Sequence, residues 1–234
     1  MTSSRRSAVE SPEYQSLSAL AVVALVLGVA SLGVLAAPLL LVVAAAAVGC
    51  GLLSLAAIRK SDGAMAGGSV ARLGMAIAVA AVAALLVRNS LRDSLLERQG
   101  AAFAEQWIAA LADQRLEDAR DMLTHSAKSA LLPDPMSRQT PLTAEEADEI
   151  SLRRLRDDPL TKALADNAEV IAEGAAAPEF DGPRAVVTAN FVVGSPDGSH
   201  RHATVHALRD RRLEAVGQPW QIEAWTAGEA HGAH

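Results

Sequence analysis

The stretch LSALAVVALVLGVASLGVLAAPLLLVVAAAAVGCGLLSLAAI, residues 17 to 58, contains no charged side chain. As one helix it would be roughly 63 Å long at 1.5 Å per residue, about twice a bilayer hydrocarbon core of ~30 Å. It therefore reads as two spans, residues 17–37 and 38–58, divided at Pro38. A proline in the first helical turn loses nothing, because its missing N–H would have no partner there. A cleavable signal peptide explains the first span less well, since the apolar run continues straight through the small-residue VLA at 34–36. AVGC, residues 47–50, has the small-residue ending of a lipidation box. The run before Cys50 is nevertheless far longer than a signal core of roughly 7–15 residues, so the cysteine reads as a small buried thiol.

RKSDGAMAGGSVAR, residues 59–72, follows, and a third apolar run, LGMAIAVAAVAALLV, leads to Arg88. Residues 73–88 make a short third span whose flanking Arg72 and Arg88 reach outward to the headgroups. Arg5, Arg6, Arg59, Lys60 and Arg72 stand against an uncharged turn at Pro38, which places residues 1–16, a disordered N-terminus, and the 59–72 loop in the cytoplasm. Three crossings then place residues 89–228 outside it, with 229–234 a disordered tail. The expected location is the bacterial inner (cytoplasmic) membrane, multi-pass. No charge or histidine lies within a span, so the usual marks of a proton or ion pathway are missing. Small residues four apart, Ala24/Gly28, Ala45/Gly49, Ala47/Gly51 and Gly74/Ala78, let helices pack closely within the anchor or between copies in a homo-oligomer.

This N-terminal half resembles a short bacterial membrane domain catalogued as domain of unknown function 4190. The resemblance rests on Gly51, Ala57, Ile58, Arg59, Ser61, Gly63, Gly68 and Ala71, over about a quarter of the chain. Ala56 and Met75-Ala76 depart from the family pattern. The resemblance implies a membrane anchor and supplies no chemistry.

From residue 89 the composition changes: 15 Lys+Arg stand against 24 Asp+Glu, a net of −9, and six of the seven aromatic residues lie here. An acidic domain repels backbone phosphates, which argues against nucleic acid as a partner. After a charged stem, Phe103, Trp107, Ile108 and Leu111 recur at helical spacing, and Leu116, Ala119 and Leu123 continue on a second short helix. LPDPMSRQTP forms a proline-rich loop. Thr143 and Glu146 mark a capping box that opens a helix over about 143–157. Strands follow. Ala185, Val187, Ala189, Phe191 and Val193 alternate with polar neighbours, as do Ala203, Val205 and Ala207, with SPDGS as the hairpin between them. PWQIEAWTA supplies a further strand and AEVIAEGAA an earlier one. Helices followed by about four antiparallel strands make an α+β domain. FAEQWIAALADQRLEDARDMLT is similar to the opening helices of the NTF2-like (nuclear transport factor 2-like), cystatin-like cone fold. That resemblance implies a curved antiparallel sheet packed on helices and a pocket, and fold alone cannot choose between binding and catalysis.

His200, His202 and His206 share a strand face, and imidazoles two apart can reach one metal. The apolar alternation puts them on the solvent side, so they read as a polar strand surface. Asp121 with His125 is a conceivable acid–base pair at helical spacing, and Trp107, Trp220 and Trp225 are candidates to line a cavity. No catalytic, cofactor-binding or metal-ligating residue is assigned, and no cofactor is expected. The reading is a non-enzymatic, membrane-anchored envelope protein presenting an acidic NTF2-like domain to a small molecule or protein partner outside the cytoplasm. The alternative is a membrane-tethered enzyme using the domain's pocket.

Overall fold

The computed structural model describes residues 16–35, 41–60, 65–134, 142–165, 168–194, 199–217 and 219–228. Pro38, most of the proline-rich loop, the SPDGS turn, the N-terminal 15 residues and the 229–234 tail lie outside them. The chain forms two compact units, Met1–Ser90 and Leu91–His234.

In the first unit, α1 (Ala19–Ala30) continues as a 3-10 turn over Ser31–Leu35, followed by α2 (Leu41–Lys60) and the start of α3 (Gly68–Ala112). Two of these helices, α2 and α3, are long and apolar enough to cross a membrane, with mean hydropathies of 2.4 and 2.3 over their apolar windows. The short third span expected over residues 73–88 lies within a longer helix. The third run is not a separate short helix, because α3 continues unbroken through Arg88 and the charged stem for 45 residues. It is α1 that is short, at 12 residues, before its backbone tightens into the 3-10 turn.

The packing of this unit is inverted relative to a water-soluble bundle. Ala21, Ala24, Ala44, Ala47, Ala71, Ala78 and Ala81 are buried, while Val22, Val26, Val42, Leu52, Leu53, Leu73, Val79 and Leu86 are exposed. Small residues let the helix backbones meet. A methyl group on Gly28 would overlap the Gly74 carbonyl, and one on Gly74 would come 2.5 Å from the Ala24 carbonyl oxygen. So Ala24 and Gly28 of α1 face Gly74 of α3, whereas Ala78 clusters with Ala44 and Ala47 of α2. Gly51 is covered by the Met75 side chain, whereas Gly49 has open space beside it. Cys50, expected buried, is only partly so. Ser18 and Ser54 approach at 3.5 Å between hydroxyls, and the Ser31 hydroxyl donates to the Gly28 carbonyl at 2.5 Å. These bonds satisfy the polar groups that the interior holds. Two-residue strands β1 (Ser16–Leu17) and β2 (Met65–Ala66) pair in parallel, tying the segment before α1 to the loop before α3.

The second unit holds the end of α3, then α4 (Leu116–Asp121), α5 (His125–Ala130), α6 (Ala144–Asp157) and α7 (Pro159–Ala165). A five-stranded antiparallel sheet follows: β3 (Glu169–Ala175), β4 (Glu179–Asp181), β5 (Arg184–Gly194), β6 (His200–Asp210) and β7 (Trp220–Ala227). The spatial order is β3-β5-β6-β7, with β4 pairing the start of β5. Alternation in β5 is complete: Ala185, Val187, Ala189, Phe191 and Val193 are buried, joined by Ala203, Val205 and Ala207 of β6 and Ile222 of β7. Trp107, Ile108 and Leu111 of α3, Leu123, Leu155 and Leu160 complete this core. Helix and sheet touch closely at Gly100, where a Cβ would stand 2.6 Å from the Val187 Cβ.

Local hydrogen bonds end α3 and start α6 and α7. The amide of Arg115 donates to the Ala110 carbonyl and that of Gln114 to Leu111, closing α3 in a Schellman motif with Gln114 left-handed at φ 59. The capping box of α6 is complete: the Thr143 amide and hydroxyl donate to Glu146 Oε2 at 2.9 Å, and the Glu146 amide donates to the Thr143 hydroxyl. Asp158 then accepts from the Leu160 amide at 2.9 Å and starts α7. After α4 the chain joins the sheet, with the Thr124 amide donating to Ile222 and the Ile222 amide to Met122.

Gly100→Ala should destabilise the chain by about 1–3 kcal/mol through overpacking against Val187, reversing the ~1 kcal/mol that alanine gains in an open helix. Gln114→Gly should stabilise it by about 1 kcal/mol by removing the left-handed penalty. Denaturant unfolding followed by tryptophan fluorescence reads both, and a stabilised Gly100→Ala would contradict the close packing. Hydrogen bonds from Thr143 hold the Glu146 carboxyl below its ordinary value of 4.5. Because the folded value is the lower one, the box's stabilisation is complete above the ordinary value and lost as pH falls through the folded one. The stability gap between the parent chain and Glu146→Gln should therefore be present at neutral pH and close in acid.

Candidate binding groove

The sheet is apolar on the side that meets the helices, and this core side opens beside β3, the edge strand. Between α3 and β3 lies a groove of about 440 Å³ lined by Ile108, Ala109, Ala112, Ala168, Val170, Ala172 and Phe191, with Glu105 and Asp113 at its margin. Its position follows from two periodicities. Residues 105, 108, 109 and 112 recur at helical spacing on α3, while Val170 and Ala172 point the same way from a strand of period two. The small side chains of Ala109, Ala112 and Ala172 leave the space that larger residues would fill. Asp113 is held by Arg115 at 3.2 Å, and Arg115 also reaches Asp118 at 2.9 Å. These two carboxylates raise the arginine's pKa above its ordinary value.

A second cleft, about 370 Å³, is lined by Phe103, Met122, Pro219 and Trp220, with Asp118, Asp121 and Gly217. Trp220 is thus the tryptophan that meets a cleft. Trp107 is fully buried, its indole N–H donating to the Ala119 carbonyl at 3.0 Å. Trp225 packs on it with ring centroids 5.1 Å apart and donates to Asp158 Oδ2 at 3.1 Å. Those two therefore act as structure, joining α3, α4, α7 and β7.

The histidines of β6 do lie on the face away from the core, as the alternation requires. His206 meets the Thr188 hydroxyl at 3.1 Å, His202 lies 3.4 Å from a Glu173 oxygen, and the His200 and His202 rings stand edge to face at 5.9 Å. His202 and His206 thus have different side-chain partners, and among the described residues no group of three or more His, Cys, Asp and Glu is placed to hold a metal. Asp121 and His125 do not share a helix: α4 ends at the first and α5 begins at the second. Asp121 instead faces Arg120 at 3.6 Å and Lys128 at 3.8 Å. Their four-residue spacing was misleading because Leu123 leaves the helix to bridge to β7.

The groove itself had a partial signal in the sequence. Ile108 and Phe191 are legible as core residues, but β3 reads only as a strand, and its place at the edge beside α3 comes from long-range pairing. No family model, curated protein or solved structure matches the chain.

Ala109 is exposed on the groove wall. Ala109→Trp should therefore fill the groove and abolish binding of an apolar fluorescent probe such as 1-anilinonaphthalene-8-sulfonate there, with thermal stability retained. Unchanged probe binding would show that the groove takes no ligand.

Proposed function

We propose that the chain is a non-enzymatic bacterial envelope protein in which three membrane-crossing helices hold an acidic, NTF2-like α+β domain outside the cytoplasm to bind an apolar ligand or protein segment. The observation that carries this reading is the inverted packing of the first unit. Most of the large aliphatic side chains point outward while the buried positions, Leu85 apart, are mainly alanine and glycine, which suits hydrocarbon as the surrounding solvent because lipid offers no reason to bury leucine. Only 22% and 28% of the apolar windows of α2 and α3 is buried, unlike the core helix of a water-soluble protein.

Lengths support three crossings. Helix α2 rises about 30 Å over its 20 residues. Helix α1 and its 3-10 turn together rise about 28 Å, since five residues in the tighter helix advance roughly 2 Å each. The pairing of β1 with β2 supports the orientation, because it keeps the segment before α1 beside the basic loop. Arg5, Arg6, Arg59, Lys60 and Arg72 then share the cytoplasmic side. Membership of the domain-of-unknown-function 4190 family belongs to the same proposal and rests on Gly51, Ala57, Ile58, Arg59, Ser61, Gly63, Gly68 and Ala71.

Helices leading into an antiparallel sheet, with a groove between α3 and the sheet edge, support the cone-type domain. The groove margin carries carboxylates and its floor is apolar, formed by aliphatic residues and Phe191, an arrangement suited to apolar surface. Binding is the function this lining supports.

Fusions of alkaline phosphatase and of a folding-dependent fluorescent protein after Ser61 and at His234 test the topology. Phosphatase should be active only at His234 and fluorescence present only at Ser61. The reverse pattern, or both fusions reporting the same compartment, would overturn it.

A further inference from the structure

The strand order leaves β3 with a neighbour on one side only. It pairs with β5 over Glu169–Ala175, and among the described residues no backbone hydrogen bond outside that ladder involves it. The N–H and C=O groups along its other edge are therefore open to a further strand. Glu169 to Gly174 are exposed without interruption. Natural edge strands are blunted by lysine, proline, shortness or a bulge. No lysine or proline lies within β3, and its ladder shifts only between Ala172 and Gly174, so Glu169 to Ala172 keep regular geometry.

This open edge borders the groove. Val170 and Ala172 stand opposite Val193 and Phe191 in the ladder and line the groove, whereas Ile171 stands opposite Val192 on the other face. A strand added to β3 would lie about 4.8 Å beyond it, with every second side chain on the face of Val170 and Ala172. Those side chains would enter the space that Ala109 and Ala112 of α3 leave open. The charges around this space are negative. Glu105 and Asp113 lie at the groove margin, and Glu169 and Glu173 bracket the exposed apolar residues of β3. Asp113 is held by Arg115 at 3.2 Å and Glu173 lies 3.4 Å from His202, whereas Glu105 and Glu169 have no ion pair among the described residues.

We propose that the groove takes an extended, basic segment of a partner protein, which adds a strand to β3, places alternate apolar side chains against Ala109, Ala112 and Phe191, and brings lysine or arginine to Glu105 and Glu169. Main-chain hydrogen bonds give such strand addition its affinity, and the alternate side chains give it selectivity. Charge separates this partner from a second copy of the chain. Two β3 strands side by side would set the glutamates of one copy against those of the other, in regions that each carry a net of −9, and like charges across a strand pair are destabilising. A small apolar molecule would fill the groove and leave the polar edge of β3 unpaired. The proposal rests on the reading of this groove as a binding site, and it names the occupant.

The test uses the full chain in phosphatidylcholine nanodiscs and a fluorescein-labelled peptide in which valine alternates with threonine between lysine ends. Anisotropy should report binding that Ala109→Trp weakens about tenfold or more, as should Glu105→Lys combined with Glu169→Lys. The amides of the valines and of the threonines face opposite edges of such a strand, so only one of the two N-methylated peptides should lose affinity, by about tenfold or more. The same effect from both would overturn strand addition. Equal binding of a peptide with glutamate ends would overturn the preference for a basic segment. The groove reading is followed separately, as the 1-anilinonaphthalene-8-sulfonate emission that the parent chain shows above Ala109→Trp. Dye binding without peptide binding overturns the proposal and leaves that reading in place, whereas binding of neither overturns both.

Discussion

One uninterrupted helix supplies packing surfaces for two different interiors, and the register of α3 decides both. In its first part, Gly74 and Ala78 face inward, where only small residues allow the backbones of α1 and α3 to approach. In its last part, Gly100 meets Val187, and Trp107, Ile108 and Leu111 supply the bulk of a conventional core. The same 3.6-residue repeat is thus used with opposite residue sizes. Close approach is favoured where hydrophobic burial gives little, and large apolar volume is favoured where water drives it.

That contrast organises the rest of the chain. The first unit keeps its few polar groups in hydroxyl bonds, Ser18 to Ser54 and Ser31 to the Gly28 carbonyl, because an unpaired group inside an apolar unit is costly. The second unit uses caps, ion pairs and indole hydrogen bonds to tie short helices to a sheet. Arg120 to Asp148 at 2.8 Å joins α4 to α6, and Trp225 to Asp158 joins β7 to the start of α7. With short helices of six or seven residues, these links and the shared core hold the layer, since such helices are marginal alone.

The groove lies where this packing stops. The groove beside β3 exists because alanines on α3 and β3 fail to fill the space between helix and edge strand. Its lining is apolar, Phe191 included, with the carboxylates of Glu105 and Asp113 at its margin.

Much of the architecture was written in local sequence. Absence of charge from Tyr14 to Ile58, alternation in β5 and β6, and the Thr143/Glu146 cap each specify an element through solvent preference or a hydrogen bond that spans only a few residues. The small-residue spacing singled out Ala24, Gly28 and Gly74, but not that they would meet one another, and Ala45/Gly49 had the same spacing with open space beside Gly49. Asp121 and His125 looked like a helical pair because spacing alone cannot register that Leu123 breaks away to the sheet. Long-range pairing decided the remainder: the length of α3, the strand order, β4, and the groove at the edge. These depend on which surfaces come together across the chain, and residue periodicity carries no information about partners.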